Sequence, residues 1–552
     1  MLLSIVYSKT KRNKNYFFSY YNDKLFKFKL FKFCQLKHFV FLFFAVVLVS
    51  CASVKRNNKH RLTTISPEKL REDVDFAYKK LQQMHPQLNW YISKKELDFK
   101  FDSLKKTINK PLAPVQFYFK LQPVISKIRE GHLALRIPGK KFNKKEIKTL
   151  KNKKGLFGRF EYHVEGDHLY IIQNKDSIEN IRPGTEILSI NKVPVSNYLQ
   201  KYRNLISSDG FNTTFYPYYL KDVFFNFYAV EKGILDSAKI ETLYKGEEKV
   251  YTIRRESKSK TDLEKDKELK KRTPEKKLND YVASTDSYNR NFKFVDKDSS
   301  IAYIKVKSFS KTFSDKFYKE SFEKIKNAKA DYLIIDIRDN YGGSLYEINN
   351  LYSYLTPEPF ILIKPSQLSS KNSPLKTNYF RKASPLQYAL KTLVYPGYFF
   401  GQAFSSYKGK DGKAYYRMKA AKSTKPKKNA FQGKVFVLIN GGSFSASSII
   451  AAKLKNDKRV ILVGEETGGA NDGTVAGFYS YQTLPNSKID LPIGLALVQP
   501  NITFTNTQKG VIPDVEIKQN IEDILEQRDV QLDWVKKEII KEKENASSNI
   551  LP

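Results

Sequence analysis

The stretch "NGGSFSASSII", Asn440 to Ile450, gathers two glycines and four serines between an apolar run, Val435–Ile439, and a segment of helical pattern that starts near Ala446. A buried strand, a flexible Asn440-Gly441-Gly442 turn and a helix start would lift one side chain onto a helix N-terminus. There the unpaired backbone N–H groups and the peptide dipoles favour negative charge. A tetrahedral oxyanion formed in acyl transfer needs such donors, and small neighbours let a substrate backbone come close. Serines at a helix start also serve as plain caps, so this stretch by itself leaves both readings open.

The elements that must position it are legible along the chain. Ser66-Pro67-Glu68 opens a helix with a capping residue, proline in the first turn and an early acid. Leu70, Val74, Ala77, Tyr78 and Leu81 then recur at helical spacing until "HPQLNWY" stops it. Two more helical patterns, Lys94 to Ile108 and Pro114 to Ile128, complete an N-terminal helical domain over 66–135. Residues 155–253 read as β-rich, and 254–291 as a charged linker or exposed helix with few apolar residues. From 292 to 519 strand, turn and helix repeat ("IAYIKVKSF", "DYLIIDIRDNYGGS", "KVFVLINGGSFSAS", "RVILVGEETGG"), interrupted by a Tyr-, Lys- and Ser-rich insertion at 365–430. That repetition predicts an α/β sheet with its functional edge at the strand ends. An amphipathic helix and tail close the chain at 520–552.

The formal charge is +40, from 97 Lys and Arg against 57 Asp and Glu. The lysines are scattered and interleaved with acids, without zinc spacing, RNA-binding signature or basic arm, so the chain is not expected to bind nucleic acid. Attraction to an anionic membrane surface is a third reading that rests on composition alone. The two cysteines, Cys34 and Cys51, exclude a disulfide framework and a thiol nucleophile in the body of the protein. No metal-ligand spacing occurs, and neither metal nor organic cofactor is expected. Cys51 ends "FVFLFFAVVLVSCAS", an apolar run of signal-peptide length behind basic residues. Leu48-Val49-Ser50-Cys51 resembles a bacterial lipobox, which makes 1–51 a signal region, Cys51 a lipidation site, 52–65 a polar linker and the cell envelope (periplasm or outer membrane) the expected location. The first thirty residues sit awkwardly ahead of such a signal and the next methionine is Met84, which suggests translation beginning downstream of Met1 at a non-Met codon.

Four motifs in order, "IDIRDNYGG" (Ile335–Gly343), "NGGSFSAS" (Asn440–Ser447), "RVILVGEETGG" (Arg459–Gly469) and "GVIPDVEI" (Gly510–Ile517), resemble the C-terminal-processing and tricorn-like serine peptidases. "IRPGTEILSIN" resembles the turn-and-strand pattern of a PDZ domain, a module that holds peptide ends by strand addition. The resemblance implies a ClpP/crotonase-like α/β core behind the helical and PDZ-like domains, and a peptide or protein as substrate. It implies Ser445 as nucleophile, with oxyanion donors from the backbone of Ala446 and of the Gly342-Gly343 turn. The processing branch uses a lysine where this chain has Ala470, so a Ser–Lys pair is not expected. The tricorn-like branch uses a histidine, and Arg129-Glu130-Gly131-His132-Leu133 resembles its "D-G-H-T" motif. Of the six histidines only His132 follows a glycine at a junction between elements, where an imidazole would suit a base near neutral pH. Glu130, Glu465, Glu466 and Asp472 are candidates for the acid behind it, and the sequence does not choose among them. The rival expectation is a catalytically silent lipoprotein that keeps the fold to capture peptides.

Overall fold

The computed structural model describes residues 54–175, 181–277, 280–282, 287–310, 313–503 and 508–548. The signal region and Cys51 lie outside the described residues. Two units separate, Met1–Leu62 with Lys140–Lys148, and Thr63–Gly139 with Thr149–Pro552. In the first, residues 54–62 are helical where a linker was expected; lysine and arginine are good helix formers, so polarity alone did not exclude a helix. Asn58 Nδ2 donates to Lys141 O at 2.8 Å, and Lys141 N–H returns a bond to Asn58 Oδ1 at 2.9 Å.

The second unit begins with three helices, α1 (Pro67–Met84), α2 (Lys94–Thr107) and α3 (Pro114–Ser126). Ser93 Oγ caps α2 by accepting from Glu96 N–H at 3.1 Å. An antiparallel sheet follows, β1 (Phe160–Glu165), β2 (His168–Asn174), β3 (Thr185–Ile190), then helices α4 (Val195–Arg203) and α5 (Phe215–Lys232), then β4 (Ser237–Tyr244) and β5 (Glu247–Arg254), paired in that strand order. Leu70, Leu81, Phe117, Leu169, Phe224 and Ile240 belong to one continuous apolar core. The helices therefore share their core with the sheet. Lys260–Lys277, in the expected linker, is a helix.

The α/β region runs β6 (Arg290–Phe294), β7 (Ile301–Val306), α6 (Ser314–Asn327), β8 (Tyr332–Asp336) and α7 (Leu345–Tyr352). After these come β9 (Ser366–Leu368), α8 (Pro385–Ser405), β10 (Ser406–Lys408) and β11 (Ala414–Tyr416), and then β12 (Lys434–Ile439), α9 (Ala446–Asn456) and β13 (Ile461–Gly464). The chain finishes with β14 (Thr474–Thr483), β15 (Asp490–Val498), β16 (Val515–Glu516) and α10 (Val530–Ser548). The central sheet has the order β16-β13-β12-β8-β7-β6, parallel except for the edge strand β6. Buried on both faces, β8 and β12 carry continuous apolar runs, Leu333–Ile335 and Val435–Ile439, rather than alternating ones. A second sheet, β10-β11-β9-β15-β14, takes three of its strands from the 365–430 insertion. Leu532, Val535 and Ile539 of α10 pack on Phe436, Leu438 and Val463.

A buried ion pair ties the end of β8 to the segment ahead of α10. Arg338 Nη2 donates to Asp336 Oδ2 at 2.8 Å and to Asp529 Oδ2 at 2.7 Å, while Tyr303 OH and Lys305 Nζ also donate to Asp336. Burial pushes the Asp336 carboxyl up, but the Arg338 and Lys305 charges outweigh it and hold the group well below the usual carboxylate range. Arg338→Ala leaves that carboxylate without its main counter-charge and is expected to lower the free energy of unfolding by about 3 kcal/mol. A drop in the urea midpoint at unchanged slope would report it.

Candidate active site

Two strand ends meet. β8 continues into Ile337–Gly343 and β12 into Asn440–Ser445, and side chains lace the two turns together. Asn340 Nδ2 donates to Val306 O at 2.9 Å, and Asn340 Oδ1 accepts from Gly342 N–H at 2.9 Å. Phe444 N–H donates to Asn340 O at 3.1 Å. Three of the four serines are structural. Ser443 Oγ donates to Ile337 O at 2.8 Å, Ser447 Oγ to Asn340 O at 2.7 Å and Ser448 Oγ to Ser443 O at 3.0 Å. Ser445, in the N-cap position of α9, makes no side-chain cap bond. Its backbone sits at φ 57° and ψ −116°, a region that non-glycine residues rarely occupy. Such strain persists where the surroundings over-determine it, and it is concentrated at functional sites.

Glycines make the approach to Ser445 feasible. A Cβ on Gly342, at φ 97°, would lie 2.8 Å from both Ala446 N and Ser445 Cβ. A Cβ on Gly469 would lie 2.8 Å from Ser445 N. The two expected oxyanion glycines differ in their bonding, since the Gly342 N–H already donates to Asn340. Gly342 therefore supplies clearance, which leaves the Gly343 N–H beside Ala446 N–H as the candidate donors. Gly342→Ala is expected to cut kcat/KM by more than about 100-fold, comparable to loss of an oxyanion donor. Peptide hydrolysis by the variant, set against its circular dichroism, measures this.

His132 reaches this corner through Phe444, the residue before Ser445. The two rings stack with centroids 5.0 Å apart, and Phe444 stacks on Phe215 of α5 at 4.6 Å. A Cβ on Gly131 would lie 2.4 Å from Phe444 Cζ, so the glycine before His132 makes room for that ring. Phe444 is 6% exposed and belongs to the core of the helices and the antiparallel sheet. Burying such a ring contributes about 1.5–3 kcal/mol, which fixes the serine turn against the histidine-bearing segment.

Behind His132 stands a buried polar chain. Its Nδ1 is 3.0 Å from Thr474 Oγ1, and Thr474 Oγ1 donates to Asp209 Oδ1 at 3.2 Å. Asp209 Oδ1 also accepts from Gly131 N–H at 2.6 Å. With Thr474 donating to Asp209, it accepts from Nδ1–H, which leaves the lone pair on His132 Nε2. Burial lowers the imidazole to about 4, so it is neutral at pH 7. Burial pushes the Asp209 carboxyl up to about 7 against three hydrogen bonds that lower it, from Gly131, Thr474 and Ala470. Burial and the neighbouring Asp209 charge push the Glu130 carboxyl well above its usual range.

The four candidate acids are placed differently from the expectation that one of them would face the imidazole. Glu465 accepts from Tyr218 OH at 2.6 Å, and Glu466 accepts from Gly510 N–H at 2.6 Å and Asn212 Nδ2 at 3.0 Å. Both hold loops together. Asp472 Oδ2 accepts from Gln508 N–H at 3.1 Å, and Glu130 Oε2 from Val475 N–H at 3.2 Å. The carboxylate joined to His132 is Asp209, through Thr474, and neither had been singled out. Ala470, at the position where the processing branch has a lysine, is buried and its backbone N–H bonds to Asp209.

Residues 300–517 match the family model of peptidase family S41. Among solved structures, mature CPAF complexed with lactacystin is similar to this chain at TM-score 0.58 and 15% identity, over 87% of this chain and 99% of that one. A second structure of mature CPAF aligns at TM-score 0.54 and 14% identity, over 83% and 94%. No curated protein sequence matches. The 87% of this chain that the CPAF likeness covers is more than the 300–517 segment matched by the family model. Over residues 300–517, which carry Ser445 and the Gly342-Gly343 turn, the chain is similar to the serine-type peptidases of family S41.

Proposed function

We propose that the chain is an endopeptidase working through an acyl-enzyme on Ser445. Ser445 Oγ attacks the scissile carbonyl carbon while His132 Nε2 takes its proton, and the N–H groups of Ala446 and Gly343 hold the oxyanion. As the C–N bond breaks, His132 returns the proton to the leaving amine; a water molecule then attacks the ester with His132 again as base, and Ser445 recovers its proton. Thr474 and Asp209 fix the imidazole tautomer and offset the charge it gains. The antiparallel sheet of residues 160–254, read as PDZ-like, would hold an extended segment or chain end of the substrate by strand addition. An envelope location rests on the Leu48–Cys51 sequence alone.

One observation carries this reading. Of four neighbouring serines, only Ser445 combines a strained backbone with a hydroxyl that caps nothing, and its neighbour Phe444 stacks on His132. A fluorophosphonate probe tests it. The expected result is a single adduct, mapped by peptide mass spectrometry to Ser445. A folded chain that takes up no probe at any pH between about 6 and 9, where a histidine-based serine site should be competent, would point instead to the silent peptide-binding protein.

A further inference from the structure

Helix α8 has two faces with opposite fates. Its inner face sits on an aromatic platform formed by residues just upstream: Tyr398 stacks on Tyr379 at 4.3 Å, Tyr395 and Tyr388 lie 5.3 and 4.7 Å from Phe380, and Lys391 Nζ donates to Tyr379 O at 2.6 Å. Its outer face is an unbroken apolar stripe. Leu386, Leu390, Leu393, Val394, Phe400 and Phe404 recur at helical spacing and are 71, 55, 78, 58, 57 and 77% exposed. The helix buries none of its residues fully. A contiguous exposed apolar face of this kind marks an interaction surface.

Charge identifies what covers it. From Lys364 to Lys428 the chain carries thirteen lysines and two arginines against the single acid Asp411. Exposed Lys382 precedes the helix, and exposed Lys408, Lys410 and Lys413 follow it in the β10–β11 hairpin. A second copy of this chain docking through the same stripe would bring these lysines against themselves, because a two-fold interface pairs each patch with its own image. A bilayer with acidic headgroups satisfies both features, taking leucine and phenylalanine side chains into the acyl boundary and lysines into the headgroup layer. Among the described residues no helix is long and apolar enough to cross a membrane, so the contact is one of lying on the surface. We infer that α8 is an interfacial helix that seats the peptidase on an anionic lipid bilayer, a contact additional to any lipid at Cys51.

The full chain carrying Leu393→Trp tests this, because position 393 is exposed and the substitution leaves the packed face untouched. The chain has two tryptophans of its own, Trp90 and Trp534, so the signal is the emission added over the unsubstituted chain. In phosphatidylcholine vesicles with about 30 mol% phosphatidylserine, brominated acyl chains are expected to quench more than about half of the added emission, and far less when phosphatidylserine is omitted. Added emission that stays open to aqueous iodide and insensitive to brominated lipid would overturn the inference, leaving an N-terminal tether as the only membrane contact. Shielding from iodide that grows with protein concentration without vesicles would overturn it in favour of a second copy. Shielding produced by polyglutamate alone would do so in favour of an acidic protein partner.

Discussion

Alanine in place of Ser445 is expected to lower kcat/KM for peptide hydrolysis by about 10⁴-fold or more while leaving the fold intact. The asymmetry follows from what the hydroxyl touches. It caps nothing in α9, so its removal opens no buried hydrogen bond, and alanine keeps the same backbone with the same strain. Ser443 and Ser447 behave in the opposite sense. Their hydroxyls satisfy the buried carbonyls of Ile337 and Asn340, so alanine at either is expected to cost about 1–3 kcal/mol of stability. Parallel measurement of kcat/KM and urea midpoints for the three variants separates the roles. Activity retained in Ser445→Ala but abolished in a still-folded Ser443→Ala would move the nucleophile two residues upstream.

The strand-turn-helix carrying Ser445 was legible because its signals are local. An apolar run, a glycine pair and small residues before a helix are contiguous in sequence, and Val435–Ile439 is indeed buried between neighbouring strands. His132 was legible for a similar reason, a glycine beside it at the end of a helical pattern. The carboxylate was not. Asp209 lies in "SSDGFN", within a stretch read as β-rich that also contains α4 and α5, and the loop between those helices carries it back to the site. The available hint was an Asp-Gly pair in a polar break between Ile206 and Phe211. A Cβ on Gly210 would fall 2.4 Å from Gln508 O, so this glycine marks a close crossing of loops that a single sequence does not reveal. Glu465 and Glu466 misled because nearness in the chain to a motif is not nearness to the imidazole. The insertion at 365–430 was visible as composition, but its pairing with β15 depends on contacts more than a hundred residues apart.

Asp209→Asn is the second substitution with a large expected effect, a loss of about 10²–10⁴-fold in kcat/KM, because the imidazolium formed during attack loses its counter-charge. Its diagnostic readout is the pH profile. His132, lowered to about 4, is neutral throughout the range of interest and contributes no limb near neutrality. Asp209 ionises near 7, so activity should rise with pH through about 7 and then level off, and asparagine should abolish that limb along with the rate. Stability moves the other way. The folded pKa of Asp209 lies above its unfolded value of about 3.9, so the protonated carboxyl favours the folded state, and this contribution is lost as pH rises from about 4 to about 7. Asparagine removes that loss, and the variant should gain on the wild type in urea midpoint between pH 5 and pH 8. A carboxylate with a purely structural role would not shift the limb. If Asp209→Asn kept the rise near pH 7, the proton chain would have to end elsewhere, and Glu130, the other buried acid beside it, would be the group to replace next.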